Sequence, residues 1–147
     1  MKKALTTLIT VLLSAVLFGV MFQAVISVLA DTHAPSAALL IKSWKEMLLG
    51  LVAILLATYV WRYGSFREVF SDRIVQLVGA IGALHVILLL AFQNSYVGEL
   101  AGLLIDVRMY LFFAEIYVFV KIWPPASTTL IKTFLAGAGI VVAFSLL

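Results

Sequence analysis

The sequence contains no cysteine. This absence excludes disulfide bonds, thiolate metal sites and a cysteine nucleophile, and it leaves the redox compartment undetermined. Short catalytic, metal-binding and phosphate-binding motifs are also missing: there is no phosphate-cradling glycine loop, no HExxH pair, no GxSxG elbow and no CxxC. We therefore expect neither a metal nor another cofactor.

Charge is scarce as well. Only 12% of the 147 residues are charged, 65% are hydrophobic, and the mean hydropathy is +1.19. A soluble domain carries roughly 25% charged residues, so lipid must be the main solvent of this chain and membrane lipids its expected partners. The net charge of +3 comes from scattered Lys and Arg residues without a basic stripe, which excludes a nucleic acid partner.

The apolar residues form runs separated by polar loops. Each run holds about 17–27 residues, the length at which a helix crosses a bilayer, and alternating barrel strands are not seen. The sequence thus predicts an all-α, polytopic bundle of about five spanning helices in one transmembrane domain. Their predicted bounds are 4–30, 36–63, 74–92, 101–123 and 128–147. Residues 36–46 are either an interfacial turn or an extension of the second helix into water.

The first run allows two interpretations. Val28-Leu29-Ala30 resembles a signal-peptidase site, but a signal peptide has an apolar core of roughly 7–15 residues. Residues 4–30 are longer, and Gln23 is among the few polar residues that interrupt them. We interpret the run as a retained helix, with a cleaved signal peptide as the alternative.

Lys and Arg in short loops predict the orientation. An N-terminus in the cytoplasm places seven of them inside against Lys42 and Lys45 outside, in agreement with the positive-inside rule. The seven are Lys2, Lys3, Arg62, Arg67, Arg73, Lys121 and Lys132. The last helix ends in apolar residues without a polar flank. This ending predicts that the sequence is the N-terminal part of a longer protein, with a last helix that just reaches the headgroups as the alternative.

Ionisable residues inside the spans are costly unless they are paired or face a cavity. The fourth span contains Asp106, Arg108 and Glu115, and the third contains His85 at a depth between Arg108 and Glu115. A contact between His85 and Glu115 is predicted if these helices are neighbours. Its role is either an interhelical hydrogen bond or a proton relay or substrate contact.

A second polar group opens the second span, where Lys42, Lys45 and Glu46 flank Trp44. Two cations at the outer side oppose the charge rule. They are either snorkelling interfacial anchors or cations whose charge is compensated locally. The compensating group is an anionic lipid headgroup or a pyrophosphate, or Glu46 together with Asp106 near the outer end of the fourth span.

Two stretches resemble a known family. Ser43-Trp44-Lys45-Glu46-Met47-Leu48-Leu49 is similar to the "WKE-hydrophobic" stretch near the start of some bacterial O-antigen ligase and O-antigen polymerase proteins. In that family a polar loop, a third helix and a helix with G-x-x-x-D-x-R-aromatic follow. Here that helix reads Gly102-Leu103-Leu104-Ile105-Asp106-Val107-Arg108-Met109-Tyr110-Leu111-Phe112-Phe113. The resemblance covers roughly residues 36–125.

The resemblance implies a multi-pass glycosyltransferase of the bacterial cytoplasmic membrane that handles undecaprenyl-pyrophosphate-linked glycans at the outer face. In this reading Lys45 and Arg108 either meet the pyrophosphate or stabilise the outer cavity, and Glu46 and Asp106 fix them. The large outer loop that carries the family's arginines and histidine has no counterpart, which implies that the catalytic part is missing. The alternative function is a small non-enzymatic membrane protein, such as a transporter piece or an assembly partner.

Overall fold

The computed structural model describes the backbone of residues 2–64, 66–91 and 96–146, and the side chains of these residues except 39 and 96–106. Within these ranges the chain folds into α-helices with one short 3-10 turn, Pro35–Ala37, and no strand. The helices are α1 (Lys2–Met21), α2 (Gln23–His33), α3 (Ala38–Lys42), α4 (Trp44–Tyr63), α5 (Phe66–Phe70), α6 (Arg73–Ala91), α7 (Tyr96–Ile122) and α8 (Ala126–Ser145). The prediction of an all-α chain is confirmed for these residues.

Four of the described helices, α1, α4, α6 and α8, are long and apolar enough to cross a membrane. Long apolar helices are what a bilayer requires, because each helix satisfies its own backbone hydrogen bonds. Most of their surface is exposed in the isolated chain, and α6 has no buried residue at all. Such exposed apolar faces suit lipid, and they indicate a membrane protein.

Four of the long helices, α1, α4, α7 and α8, pack together, and α6 packs against α7. α1 lies between α8 and α4, α4 also contacts α7, and α7 in turn contacts α6. The largest buried cluster joins four of these helices and consists of Ile9, Leu13, Val52, Leu56, Phe119, Ala126 and Leu130. Tight interlocking of this kind holds helices together in lipid, where apolar burial alone gives no advantage over the lipid tails.

Successive long helices run in opposite directions. At one end, which we call the Asp72 end, the Lys2 ammonium lies over the rings of Tyr59 and Tyr63, and Asp72 bonds to Lys121. At the other end, which we call the Glu46 end, Glu46 bonds to Arg108. The start of α1 therefore lies level with the end of α4, the start of α6 and the end of α7.

The first predicted span, residues 4–30, differs from the observed helices. The helix begins at Lys2 and is divided at Phe22 into α1 and α2. The N–H of Phe22 donates to the carbonyl of Gly19 over 3.0 Å, an i−3 bond that tightens one turn. A single tight turn leaves the apolar pattern intact, which is why the sequence reads as one continuous helix.

The second predicted span, 36–63, is also divided. Residues before Ser43 form the 3-10 turn and the short helix α3, and α4 then runs from Trp44 to Tyr63. Of the two readings left open for residues 36–46, the structure thus gives short, separate helical segments before α4. Gly64 ends α4 with a φ of 73°, a left-handed conformation that favours glycine and terminates helices.

The remaining bounds differ less. The polar loop after α4 contains the short helix α5, α6 begins one residue earlier than predicted, and α8 spans Ala126–Ser145. α7 starts at Tyr96, five residues before the predicted 101. Residues 92 and 147, where the third and fifth predicted spans end, lie outside the described residues.

Candidate functional site

Three predicted site residues meet at the Glu46 end. The guanidinium of Arg108 lies 3.2 Å from Oε1 of Glu46, and the Lys45 ammonium lies 3.7 Å from the same oxygen. Arg108 is on α7 and the other two are on the first turn of α4, so the pair of Arg108 and Glu46 joins two long helices, while Lys45 and Glu46 pair within α4. The fourth predicted residue, Asp106, has a side chain outside the described residues.

These charges are only partly accessible. The side chain of Lys45 is 15% exposed, and those of Glu46 and Arg108 are 36% and 37% exposed. The second carboxylate oxygen of Glu46, Oε2, is buried without a hydrogen bond to any described group. Two cations therefore share one carboxylate oxygen, and the three described side chains carry a net charge of +1.

The cluster forms one wall of a cleft of about 210 Å³ between α1, α4 and α7. Its other described lining residues are Val16, Val20, Gln23, Leu49, Met109 and Phe112. An apolar wall with two cations at one side is an amphipathic surface. It suits a ligand that combines an anionic group with a hydrocarbon chain.

Gln23 connects this cluster to the divided first span. Its Oε1 accepts a hydrogen bond from Nε1 of Trp44 over 3.1 Å, and its Nε2 donates to Ser27 Oγ over 3.3 Å. Trp44 is thus more than an interfacial belt residue, because its indole is bonded to α2 and packs against Gly19. Sequence reasoning missed this role, although a lone amide inside an apolar run was the available signal.

Gly19 permits this approach of Trp44. An added Cβ would lie 2.7 Å from Cζ2 of the indole and closer still to Cη2. Replacement of Gly19 by alanine is expected to destabilise the fold by about 1–3 kcal/mol, because the indole must shift away from its Gln23 bond. Gly79→Ala is the matched control, since nothing lies within 4 Å of its added Cβ.

Unfolding of the purified chain in mixed detergent micelles with increasing dodecyl sulfate would measure both variants. The Gly79 variant is expected to be as stable as the parent or slightly more stable, because alanine favours a helix over glycine. Equal stability of the two variants would contradict the close approach.

A second ion pair lies near the same end but outside the cleft. The Lys42 ammonium is 2.7 Å from Oδ1 of Asp31, with side chains 38% and 58% exposed. It links α3 to α2, and exposed pairs of this kind contribute little to stability. Lys42 is therefore paired locally and does not line the cleft.

The structure does not join His85 to Glu115. Nδ1 of His85 lies 2.8 Å from the backbone carbonyl of Ile81, and its ring centroid is 6.1 Å from that of Tyr110. Glu115 lies five residues after Tyr110 on α7 and faces a groove formed by α4, α5 and α7. His85 is thus bonded within its own helix, whereas Glu115 lines an apolar groove and its Oε2 has no described partner.

Sequence reasoning also missed a polar group at the Asp72 end. Oδ1 of Asp72 accepts from the backbone N–H groups of Ile74 (2.8 Å) and Val75 (3.4 Å), which makes it the N-cap of α6. Its Oδ2 accepts from Lys121 and from the Tyr117 hydroxyl on α7. The hydrogen bond from Lys121 is the main cause that lowers the pKa of Asp72 from 3.8 to about 2.

The lowered pKa predicts a pH dependence of stability. The folded protein holds the carboxylate more strongly than the unfolded chain, so this stabilisation is complete above pH 4 and is lost as the pH falls from 4 towards 2. Asp72→Asn and Lys121→Gln should each lower the thermal midpoint at neutral pH. They should also flatten the loss of stability between pH 4 and pH 2, measured by thermal unfolding in detergent.

The exposed Arg67 on α5 supplies the control for this pH dependence. Arg67→Gln should keep the parent's pH profile, because no described bond to Asp72 involves Arg67. If Asp72→Asn shows the same loss of stability between pH 4 and pH 2 as the parent, another group causes the pH dependence.

Among the described residues, no group of three or more His, Asp or Glu side chains is placed to hold a metal ion. The fold and the cleft define a multi-helix membrane protein with a basic, partly buried cluster at one end. No protein-family model, no curated protein and no solved structure matches the chain. Its function must therefore be inferred from its own residues and geometry.

Proposed function

We propose that this chain is the N-terminal membrane portion of a glycosyltransferase similar to O-antigen ligases and polymerases, and that its cleft binds the pyrophosphate of an undecaprenyl-linked glycan. The observation that carries the proposal is the convergence of Lys45 and Arg108 on one oxygen of Glu46 beside an apolar wall. The two stretches that resemble the family supply these three residues.

The charges of the cleft suit an anionic headgroup. With two cations on one carboxylate oxygen, each cation keeps hydrogen-bonding capacity for a second anion. Arg binds phosphate oxygens through its planar fork, and Lys acts as a mobile point charge. Val16, Val20 and Phe112 line the same cleft and would contact the first isoprene units of the chain.

The proposed topology has five spans, an N-terminus in the cytoplasm and the Glu46 end at the outer face of the bacterial cytoplasmic membrane. α6 leaves the Asp72 end and α8 starts there again, so α7 must return across the membrane if both helices span it. With 27 residues, α7 is about 40 Å long, which is sufficient. The orientation is supported by the seven Lys and Arg residues of the Asp72 end.

Binding of purified chain in lipid nanodiscs to undecaprenyl pyrophosphate tests the proposal. Undecaprenol, which has the same tail and no charge, is the matched ligand. The pyrophosphate should bind at least about tenfold more tightly, since one charge-assisted hydrogen bond contributes about 1.5–3 kcal/mol. Arg108→Gln should remove most of this difference, while Arg67→Gln, an exposed arginine at the Asp72 end, should not.

Equal affinities for undecaprenyl pyrophosphate and undecaprenol would reject the headgroup site. An equal loss of affinity in Arg108→Gln and Arg67→Gln would reject it as well. The non-enzymatic membrane protein would then be the better reading. Inorganic pyrophosphate distinguishes the contribution of the tail: it should bind weakly, because it cannot use the apolar wall.

A further inference from the structure

A groove of about 390 Å³ lies between α4, α5 and the second half of α7. Its volume falls in the range of small-molecule sites. Glu115 is the single titratable residue among its described lining residues, and the others are apolar or aromatic. The groove is separate from the cleft at the Glu46 end, because Glu115 is seven residues, or about 10 Å, further along α7 than Arg108.

Glu115 is buried in this groove without a partner among the described residues. The residue is only 6% exposed, and its Oε2 has no hydrogen bond to any described group. An isolated carboxylate in hydrocarbon is very costly, so the group needs either a proton or a cation. The described part of the chain supplies no cation at this position, so without a ligand the carboxyl holds its proton, and a cation from outside would take the place of that proton.

Aromatic rings border the same groove. Trp61 is 83% exposed, and Phe66 stacks on Phe70 with ring centroids 4.2 Å apart. Aromatic faces attract cations and also cover apolar groups. Ala53, Ala57 and Ala114 line the same groove, and their small side chains leave space for bulky substituents.

We propose that this groove binds lipophilic organic cations, with Glu115 as the counter-charge and Trp61, Phe66 and Phe70 against the apolar substituents. Such a cation pairs with the buried carboxyl, and its apolar substituents contact the apolar wall. An anion does not pair with the carboxyl, and a strongly hydrated inorganic cation does not match the apolar wall. This site is independent of the proposed glycosyltransferase function.

A second copy of the chain is the competing occupant. Lys132 on α8 is exposed, and it lies six residues from the start of α8, a depth close to that of Glu115. However, helical side chains lean towards the N-terminus of their helix. Lys132 therefore leans towards the Asp72 end and Glu115 away from it, so the two charges diverge.

The test is equilibrium binding of tetraphenylphosphonium to the full chain in phosphatidylcholine nanodiscs, corrected with empty nanodiscs. Tetraphenylborate has the same size and shape and the opposite charge. Saturable binding of the cation and none of the anion is expected. Glu115→Gln should weaken cation binding at least about tenfold, whereas Glu68→Gln, an exposed carboxylate on α5, should leave it unchanged.

Ala57→Phe keeps the charge of Glu115 and fills the groove, so it should weaken binding to a similar extent. Equal binding of the two ions, or full cation binding in both Glu115→Gln and Ala57→Phe, would overturn the proposal. The proposal is also overturned if the parent chain binds no cation and forms oligomers that the Glu115→Gln substitution dissociates. In that case a second copy of the chain fills the groove. If Glu115→Gln does not fold, the result of Ala57→Phe decides.

Discussion

Replacement of Phe119 by alanine is expected to destabilise the folded chain by roughly 3 kcal/mol, at the low end of the values for buried Phe-to-Ala changes. Phe119 is 1% exposed and fills the centre of the cluster that joins α1, α4, α7 and α8. In lipid the cost comes from lost van der Waals contacts and from the cavity, because transfer out of water contributes little there.

Phe134→Ala supplies the matched control for this loss. Phe134 lies on α8 and is 50% exposed, so its removal should change stability by no more than about 0.5 kcal/mol. Unfolding by dodecyl sulfate in mixed micelles would measure both variants. A loss for Phe134→Ala as large as that for Phe119→Ala would contradict the packing of the four helices around Phe119.

The second large effect concerns the ion pair between α4 and α7. In a double-mutant cycle, Glu46→Gln and Arg108→Gln are expected to show a coupling energy of about 1–2 kcal/mol. The two groups are 3.2 Å apart and partly buried at the end of the bundle, where water screens them less than at an open surface. Lys45 reduces the loss in Arg108→Gln, because it still neutralises Glu46.

The exposed pair of Asp31 and Lys42 provides the comparison for this cycle. Its side chains are 58% and 38% exposed, so the corresponding cycle with Asp31→Asn and Lys42→Gln should give at most about 0.5 kcal/mol. Additive effects of Glu46→Gln and Arg108→Gln would mean that the contact contributes nothing to stability.

Much of the helical architecture could be predicted from the sequence. A bilayer requires long apolar helices, and composition and run length report them directly. The tight turns at Phe22 and Ser43 could not be predicted, because each leaves the hydrophobic pattern unbroken. The start of α7 at Tyr96 was missed because polar residues precede its apolar part.

The site could be predicted in part. The family resemblance grouped Lys45, Glu46, Asp106 and Arg108 at the outer side, and the structure joins Glu46 to Arg108. Depth alone, however, does not fix the rotation of a helix: His85 and Glu115 are at similar depths and face different neighbours. The bond between Asp72 and Lys121 joins residues 49 apart in sequence, and only the packing of α6 against α7 brings these two groups together.

The orientation of the Glu46 end decides whether the cleft can meet a lipid-linked glycan at the outer face. Since the chain has no cysteine, single cysteines can report it. Ser36 lies beyond the Glu46 end, Ser71 lies at the Asp72 end, and both are exposed. Each would be replaced by cysteine in chain expressed in bacterial cells, and the cells treated with a membrane-impermeant maleimide. Intact cells are expected to label Ser36→Cys and to leave Ser71→Cys unlabelled until they are lysed. Labelling of Ser71→Cys in intact cells, with Ser36→Cys protected, would contradict the placement of the Glu46 end at the outer face.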